Sequence, residues 1–388
     1  MTIQGPSGNK TEIPTGRPVH GGIKPSQLRA LGLRPEDVLD FSASVSPIGT
    51  PDGVWDAMRQ VDLGAYPDPA CLELREALSA HLPPVQGKPV PIECIMVGNG
   101  STEIIHLLAR AYLTTTDSDK QPSVLQLTPT YGEYAGACRQ AGATVWSLEV
   151  TAGLMFSWDI SEVVRRIAQE RPRLVFVCNP NNPTGVYLSR EDIEPMAESA
   201  AACGALLVID EAYLSFVADP WDAMSLPSID NVVLLRSMTK DYALTGLRLG
   251  YAIASEEVIA NLEAFQPDWS VNGLAQAAGL AALADTAYLP RAREAVEQSK
   301  EYLSDRLDRL SITVHPSAAN FMLVNVINAT AWHDNLMRLG LFVRDCTSFG
   351  LPEFIRIGIR SMADCQRLLE GMETVSFQTT IMPTSHQD

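Results

Sequence analysis

The sequence predicts an α/β protein: a large domain with a mostly parallel sheet of seven strands, followed by a smaller α+β domain. Between about residue 90 and residue 260, short apolar or β-branched runs alternate with longer amphipathic stretches. This alternation is typical of a parallel sheet that helices cover on both faces. After Pro267 it ends, and a long helical stretch, roughly Gly273–Ser311, leads into further short strands.

Each element is predicted from its residue pattern. The large sheet is predicted to contain the strands Cys94–Val97, Val124–Thr128, Thr144–Glu149, Leu174–Cys178, Ala205–Asp210, Val232–Arg236 and Tyr251–Ala254. Helices between them include Ser161–Glu170 and Arg190–Ala202, and the smaller domain is predicted to contain strands at Thr313–Val314, Phe321–Asn325, Phe342–Asp345 and Phe354–Ile359. We expect an N-terminal arm with part of the small domain over residues 1–50, the large domain over 51–270, the small domain over 271–375 and a tail over 376–388.

Composition narrows the class of function. The chain has 388 residues and a formal net charge of −17, which disfavours a nucleic-acid partner because a phosphate backbone attracts a basic surface. No apolar run approaches the roughly 18 residues of a membrane helix, and the first residues lack the apolar stretch of a secretory signal. The seven cysteines are scattered without a CxxC pair, which indicates reduced thiols and neither a metal site nor a disulfide framework. We therefore expect a cytoplasmic protein.

A lysine with flanking hydroxyls follows one of the predicted strands. Ser237, Met238, Thr239 and Lys240 come directly after the run Val232–Arg236. An amine at a strand end can form an imine with an aldehyde cofactor. Eight residues later, Arg248 lies between glycines, and a guanidinium suits a phosphate dianion. An isolated match of this kind would be explained as well by a surface lysine and a helix arginine.

A carboxylate ends another predicted strand. Asp210 closes an apolar run, and Tyr213 follows it by three residues. Pyridoxal 5′-phosphate (PLP) chemistry needs such a carboxylate against the pyridine nitrogen, since the protonated ring takes up electrons from a carbanion. The Tyr213 hydroxyl can donate to the phenolate oxygen of the ring. Taken alone, the acid is also explained as a helix cap.

Three further motifs also follow strands. Asn182 lies in the run NPNNPTG after Leu174–Cys178, and its amide can reach the cofactor oxygen. A glycine-rich helix start with Gly100, Ser101 and Thr102 suits an anion such as the cofactor phosphate. Tyr131 can stack on the pyridine ring, and it joins Lys240 and Asp210 as a candidate catalytic residue. A plain turn, an N-cap and a core aromatic are the respective alternatives, but all the motifs occur at strand ends in one order, which favours a single site.

These residues resemble the class I/II aminotransferase superfamily, the fold-type I PLP enzymes, over nearly the whole chain. The resemblance implies that Lys240 is the Schiff-base lysine, Asp210 the pyridinium partner, and Asn182 with Tyr213 the pair on the phenolate oxygen. It implies that Tyr66 reaches the cofactor phosphate of a neighbouring subunit, so that the protein is a homodimer. The implied phosphate ligands are Gly100, Ser101, Thr102, Ser237, Thr239 and Arg248.

The resemblance also concerns the substrate. Arg356 resembles the arginine that holds the α-carboxylate of an amino acid. Within the superfamily the chain is most similar to the branch of histidinol-phosphate aminotransferase and threonine-phosphate decarboxylase. In that branch, Arg344, Arg360 and His20 would hold a phosphate at the far end of the substrate. The chain departs from the decarboxylases at Ile23, Ser44 and Ser46, where they often have asparagine.

Several reactions fit these residues. The leading hypothesis is a decarboxylase similar to threonine-phosphate decarboxylase. The alternatives are an aminotransferase of the histidinol-phosphate type and an eliminase or cyclase that acts on a hydroxylated or guanidino amino acid. A transcription regulator with an aminotransferase-like domain is a different class, and it needs a DNA-binding module for which residues 1–17 are too short and too polar.

Overall fold

The computed structural model describes residues 19–114, 121–226 and 229–381. Its helices are α1 Pro25–Leu31, α2 Asp52–Arg59, α3 Leu72–His81, α4 Gly100–Leu113, α5 Gly132–Gln140, α6 Ile160–Glu170, α7 Arg190–Cys203, α8 Met238–Asp241, α9 Glu256–Glu263, α10 Gly273–Ala284, α11 Tyr288–Arg309, α12 Ala329–Arg338 and α13 Met362–Ile381. Its strands are β1 Leu39–Asp40, β2 Ile95–Asn99, β3 Ser123–Thr128, β4 Thr144–Glu149, β5 Leu174–Cys178, β6 Leu206–Asp210, β7 Val232–Ser237, β8 Leu249–Ile253, β9 Val314–His315, β10 Phe321–Asn325, β11 Leu341–Phe342, β12 Arg344–Asp345 and β13 Phe354–Gly358.

A seven-stranded sheet forms the centre of the larger part of the described chain, in the order β2-β8-β7-β6-β5-β3-β4. Strand β8 runs antiparallel to both of its neighbours, and all other pairings are parallel. Every residue of β5 and β6 is buried, as expected for strands with helices on both faces. The predicted fold class is therefore confirmed, and the predicted strands lie within two residues of the observed ones.

The direction of the strands decides where the polar motifs meet. Strands β2, β3, β5, β6 and β7 all point the same way, so their carboxyl ends lie at one edge of the sheet. Because β8 runs in the opposite direction, it begins at that edge, and Arg248 directly precedes it. Ligands of open α/β sheets bind at this edge.

The smaller part is built on a four-stranded antiparallel sheet in the order β12-β13-β10-β9. A separate parallel pair joins β1 to β11, with Leu39 opposite Leu341 and Asp40 opposite Phe342. The chain near residue 40 therefore belongs structurally with residues from the other end of the sequence.

Three elements differ from the prediction. The stretch Phe342–Asp345, predicted as one strand, is divided at Val343 between β11 and β12, which belong to different sheets. The stretch predicted as one long helix is divided into α10 and α11, and the break contains Asp285 and Thr286, which favour turns over helix interiors. Helix α13 continues to Ile381, beyond the start of the predicted tail at residue 376, while residues 1–18 and 382–388 lie outside the described range. Helix α10, from the part of the chain predicted as the small domain, packs on α2 and α3 from the part predicted as the large domain. The domain boundaries given above remain predictions.

Within the described residues, no helix combines the length and apolarity needed to cross a membrane. Across the same ranges, no group of three or more His, Cys, Asp or Glu side chains is arranged to hold a metal ion.

Candidate active site

A cavity of about 910 Å³ lies at the carboxyl edge of the large sheet, between the two sheets. Most of the residues singled out in the sequence line it: His20, Ser101, Thr102, Tyr131, Asn182, Asp210, Tyr213, Ser237, Thr239, Lys240, Arg248, Arg344, Arg356 and Arg360. Gly100 adjoins the lining at Arg248. Tyr66 is not among the lining residues, and the residue is 79% exposed.

Lys240 lies in α8, immediately after β7, and its side chain is directed into the cavity. Loss of water around the amine, together with the positive charges of Arg356 and Arg248, lowers the pKa of Lys240 to about 8. The backbone is held in place because Ser46 N donates to the Lys240 carbonyl over 2.9 Å. An amine with this pKa is partly neutral near physiological pH and can attack a carbonyl carbon.

Asp210 is the last residue of β6, and its carboxylate is buried and oriented by two donors. Tyr134 Oη donates to Asp210 Oδ2 over 2.7 Å, and Ala212 N donates to Oδ1 over 3.1 Å. Burial raises the pKa of Asp210, and the hydrogen bond from Tyr134 opposes that rise. The cavity therefore contains a fixed carboxyl group across from an amine, as a pyridine ring with a protonated nitrogen requires.

Tyr134 was not identified from the sequence. It is fully buried near the start of α5 and stacks on Phe176 with ring centroids 4.9 Å apart. Burial raises the pKa of Tyr134 well above its usual value, so its hydroxyl stays a donor. The available signal was a second aromatic residue three positions after Tyr131 in the motif PTYGEY.

One corner of the cavity has the chemistry of an anion site. Arg248 donates to Thr245 O over 3.1 Å and has no acidic partner among the described side chains. Gly100 has a φ of +76°, and a Cβ added there would lie 2.8 Å from an Arg248 nitrogen. The Ser237 and Thr239 hydroxyls lie 2.6 Å apart. A guanidinium, hydroxyls and a bare helix start together fit a phosphate group.

Two tyrosines and an asparagine complete the walls. Tyr131 Oη lies 3.4 Å from Thr102 Oγ1, and desolvation raises the pKa of Tyr131 to about 12. Tyr213 packs edge-on against Phe321 with ring centroids 5.0 Å apart, and burial raises its pKa. The Asn182 side-chain oxygen accepts a hydrogen bond from Arg356.

Arg356 is buried in β13, and no carboxylate among the described residues neutralises its charge. It donates to Asn182 and, over 2.8 Å, to the Ser42 carbonyl, and its guanidinium lies over the Phe321 ring at 5.1 Å. Its Nε has no hydrogen-bond partner, and no carboxylate pairs with it in the part of the chain that the structure describes. A buried guanidinium surrounded by neutral acceptors favours an anionic ligand. The contribution of the Ser42 backbone was not predicted.

Arg344 lies directly across from Arg356, since the two are register partners on β12 and β13. It donates to Val19 O over 2.7 Å and to Ser348 Oγ over 2.6 Å. Burial lowers the pKa of Arg344, and Arg356 lowers it further. Like charges facing each other across a strand pair are unfavourable, so the two arginines together attract negative charge.

The other two predicted substrate residues have partners within the protein. Arg360 forms a 3.0 Å ion pair with Asp364. His20 Nε2 lies 2.6 Å from Glu133 Oε1, and His106 approaches the second oxygen of the same carboxylate at 3.3 Å. Both residues line the cavity, but a phosphate there would compete with these carboxylates. Glu133 was not identified from the sequence.

The comparisons with known proteins assign the family. The model of the aminotransferase class I and II family matches residues 36–372. The chain is 34% identical to histidinol-phosphate aminotransferase of Symbiobacterium thermophilum, and the match covers 89% of this chain and 92% of that protein. It is 32% identical to threonine-phosphate decarboxylase of Salmonella typhimurium over 92% of its length and 96% of that protein.

A solved structure has the same fold. Histidinol-phosphate aminotransferase of Sinorhizobium meliloti, in complex with pyridoxal-5′-phosphate, superposes with a TM-score of 0.79 and 23% identity, over 92% of this chain and 95% of that one. The fold and the cavity with its lysine, carboxylate and arginines define an aminotransferase-like enzyme. The chain belongs to the aminotransferase class I and II family, which confirms the resemblance inferred from the sequence.

Proposed function

We propose that this chain is a PLP-dependent enzyme that acts at the α-carbon of a polar amino acid, and that Lys240 carries the cofactor. The proposal rests on one observation: Lys240, whose pKa is lowered, shares a cavity with the buried carboxyl group of Asp210 and with Arg356, which has no carboxylate partner among the described residues. The family of the chain supports the choice of cofactor. We further propose that the enzyme works in the cytoplasm.

Each wall of the cavity would hold one part of the cofactor. Asp210 would accept from the ring nitrogen, Tyr131 would lie against the ring face, and Asn182 with Tyr213 would contact the ring oxygen. The phosphate would lie at the corner formed by Gly100, Ser101, Thr102, Ser237, Thr239 and Arg248. This fit is supported by the absence of an acidic partner for Arg248 among residues 19–114, 121–226 and 229–381.

The protein groups divide the chemical work. When bound, PLP supplies an aldehyde carbon for joining amines and a ring that takes up electrons from the α-carbon. The Lys240 amine would take or give a proton near that carbon, and its lowered pKa of about 8 suits a base near neutral pH. Arg356 would hold the α-carboxylate of the substrate. The orientation that this contact gives to the substrate would decide which bond to the α-carbon breaks.

We propose that the substrate carries a second anion and that the reaction resembles that of threonine-phosphate decarboxylase. Two facing arginines, neither paired with a described carboxylate, support a substrate with two negative groups. Threonine-phosphate decarboxylase is a relative at 32% identity over most of both chains. Transamination is the second candidate, because a relative named histidinol-phosphate aminotransferase is 34% identical.

The reaction is tested by mixing the purified enzyme with threonine phosphate, with histidinol phosphate plus a keto acid, and with hydroxylated and guanidino amino acids. Spectral shifts identify the ligands, and mass spectrometry identifies the products. CO2 release from threonine phosphate is the expected result. Amino transfer would assign the second candidate. A product lighter by one water, with its carboxylate retained, would contradict both and indicate elimination or cyclisation.

Substitution of Arg356 by lysine is expected to raise the KM of the amino-acid substrate at least ~10-fold, because losing one charge-assisted bond costs roughly 1.5–3 kcal/mol. The matched control is Arg360→Lys, at the rim of the same cavity, where Asp364 already pairs with the charge. We expect less than about 3-fold change there. Unchanged kinetics in Arg356→Lys would make Arg356 a structural residue.

We expect a homodimer in which Tyr66 reaches the cofactor phosphate of the partner. Tyr66 is exposed, stacks on Trp269 at 4.5 Å and does not line the cavity of its own chain. The test mixes inactive Lys240→Ala subunits with impaired Tyr66→Ala subunits. A hybrid has one site with both Lys240 and the partner's Tyr66, so activity should return to at most half of the parent value. A fully active monomer would contradict the prediction.

A further inference from the structure

A second acidic side chain lies next to Lys240, on the side away from the cavity. Asp241 is the last residue of α8 and does not line the cavity. Its Oδ2 accepts a hydrogen bond of 2.7 Å from Ser215 Oγ. Its Oδ1 is fully withdrawn from solvent and has no hydrogen-bond partner among the described residues. A buried carboxyl group with one unmet oxygen is costly, so its presence calls for an explanation.

The Ser215–Asp241 hydrogen bond connects the two segments that carry the proposed chemistry. Ser215 lies in the turn Leu214–Phe216, directly after Tyr213 and five residues after Asp210. Strands β6 and β7 are joined by backbone hydrogen bonds as far as Glu211 N and Leu235 O, at 2.7 Å. Beyond that point, no described backbone hydrogen bond joins residues 212–217 to residues 238–241. The Ser215–Asp241 side-chain hydrogen bond does join these two segments.

One side-chain contact spans this gap, because Ser215 donates to Asp241 over 2.7 Å. A second contact, in which Arg236 donates to Glu211 over 2.9 Å, lies closer to the strand ends. Glu211, Arg236 and Asp241 do not line the cavity, although their respective chain neighbours Asp210, Ser237 and Lys240 do. The outer contact is the one nearest to Lys240 and Tyr213.

The surroundings of Asp241 allow this hydrogen bond over a wide pH range. The charges of Arg236 and Lys240 act on it, as do the buried phenols of Tyr242, Tyr251 and Tyr288, whose pKa values are raised. Burial raises the pKa of Asp241 to about 7. The carboxyl oxygen can accept from Ser215 whether the group is ionised or protonated.

We propose that Asp241 is a positioning residue: through Ser215 it holds the turn that carries Tyr213 against the helix that carries Lys240. This inference rests on the proposed PLP site, because the distance between Tyr213 and Lys240 matters only if both contact one cofactor. Displacement of either group by a fraction of an ångström changes the alignment of amine and ring, to which rates are sensitive.

The test compares four variants of the holoenzyme. Ser215→Ala removes the donor, Asp241→Ala removes the acceptor, and Asp241→Asn keeps an oxygen that accepts from Ser215. Ser199→Ala is the matched control, since Ser199 is also a half-buried serine with one acceptor, Val164 O, and lies in α7 away from the cavity. The readouts are the visible circular dichroism of bound PLP, the pH midpoint of its absorption band, kcat and KM, and thermal unfolding.

We expect Ser215→Ala and Asp241→Ala to shift the pH midpoint by about half a unit or more and to lower kcat about 10-fold, with KM changed less than about 3-fold. Asp241→Asn should recover most of the visible circular dichroism that Asp241→Ala loses. Ser199→Ala should match the parent in all readouts. If Ser215→Ala changes only the unfolding temperature, or if Asp241→Asn behaves like Asp241→Ala, the positioning role is overturned. A parent enzyme that binds no PLP would instead overturn the proposed function.

Discussion

Lys240→Ala protein is expected to lose at least ~10³-fold in kcat and to lose the absorption band that borohydride reduction fixes on a lysine. The amine of Lys240 is the group in the cavity that can both hold an aldehyde and move a proton, and removing a proton-transfer group alone costs 10²- to 10⁴-fold. The measurement is the spectrum of the PLP-loaded protein before and after reduction, together with steady-state kinetics.

Lys300 provides an internal control for this experiment. Its pKa is also lowered by burial, but its amine is held by the carbonyls of Ser317 and Ala319 and does not line the cavity. Peptide mapping of the reduced parent should therefore find the label on Lys240 and not on Lys300. A label that survives in Lys240→Ala protein would refute the assignment of the cofactor lysine.

Asp210→Asn is expected to lower kcat at least ~100-fold while preserving the fold. The substitution keeps the size of the side chain and removes the negative charge that would hold the ring nitrogen protonated, so the ring takes up electrons less readily. The loss corresponds to roughly 2.7 kcal/mol of transition-state stabilisation. Steady-state kinetics with the identified substrate measure it, and circular dichroism checks the fold.

Tyr134→Phe should give a smaller loss of the same kind, about 10-fold, because it removes one of the two donors to Asp210. Without that donor the pKa of Asp210 is expected to rise further, since the hydrogen bond opposes the effect of burial. Tyr112→Phe, which removes a half-buried phenol outside the cavity, is the control. If Asp210→Asn were as active as the parent, the proposed role of Asp210 at the ring nitrogen would be contradicted.

The sequence allows the cofactor side of the cavity to be predicted because its residues follow strands. Lys240, Asp210 and Asn182 each come within a few residues of a strand end, and parallel strands bring their carboxyl ends to one edge. The order of strands therefore predicts that the three residues lie close together. They do line one cavity, although they span almost 60 positions of the sequence.

The substrate side is less predictable because it depends on contacts between distant segments. The pairing of His20 with Glu133 joins residues 113 positions apart, and no local pattern indicates it. The bond from Arg356 to the Ser42 carbonyl spans 314 positions. Arg360 is different, since Asp364 follows it by only four residues and this local ion pair could have been anticipated from the sequence.

The parallel pairing of β1 with β11 makes the cavity a late product of protein synthesis. Leu39 and Leu341 lie about 300 residues apart, so at roughly 5–20 residues per second the first strand waits ~15–60 s for its partner to be translated. Residues 42–46, which follow β1 and line the cavity, lack the support of the β1–β11 pairing until then. The central sheet can form earlier, from residues 95–253. We therefore expect the cavity to be completed only after β11 has been translated.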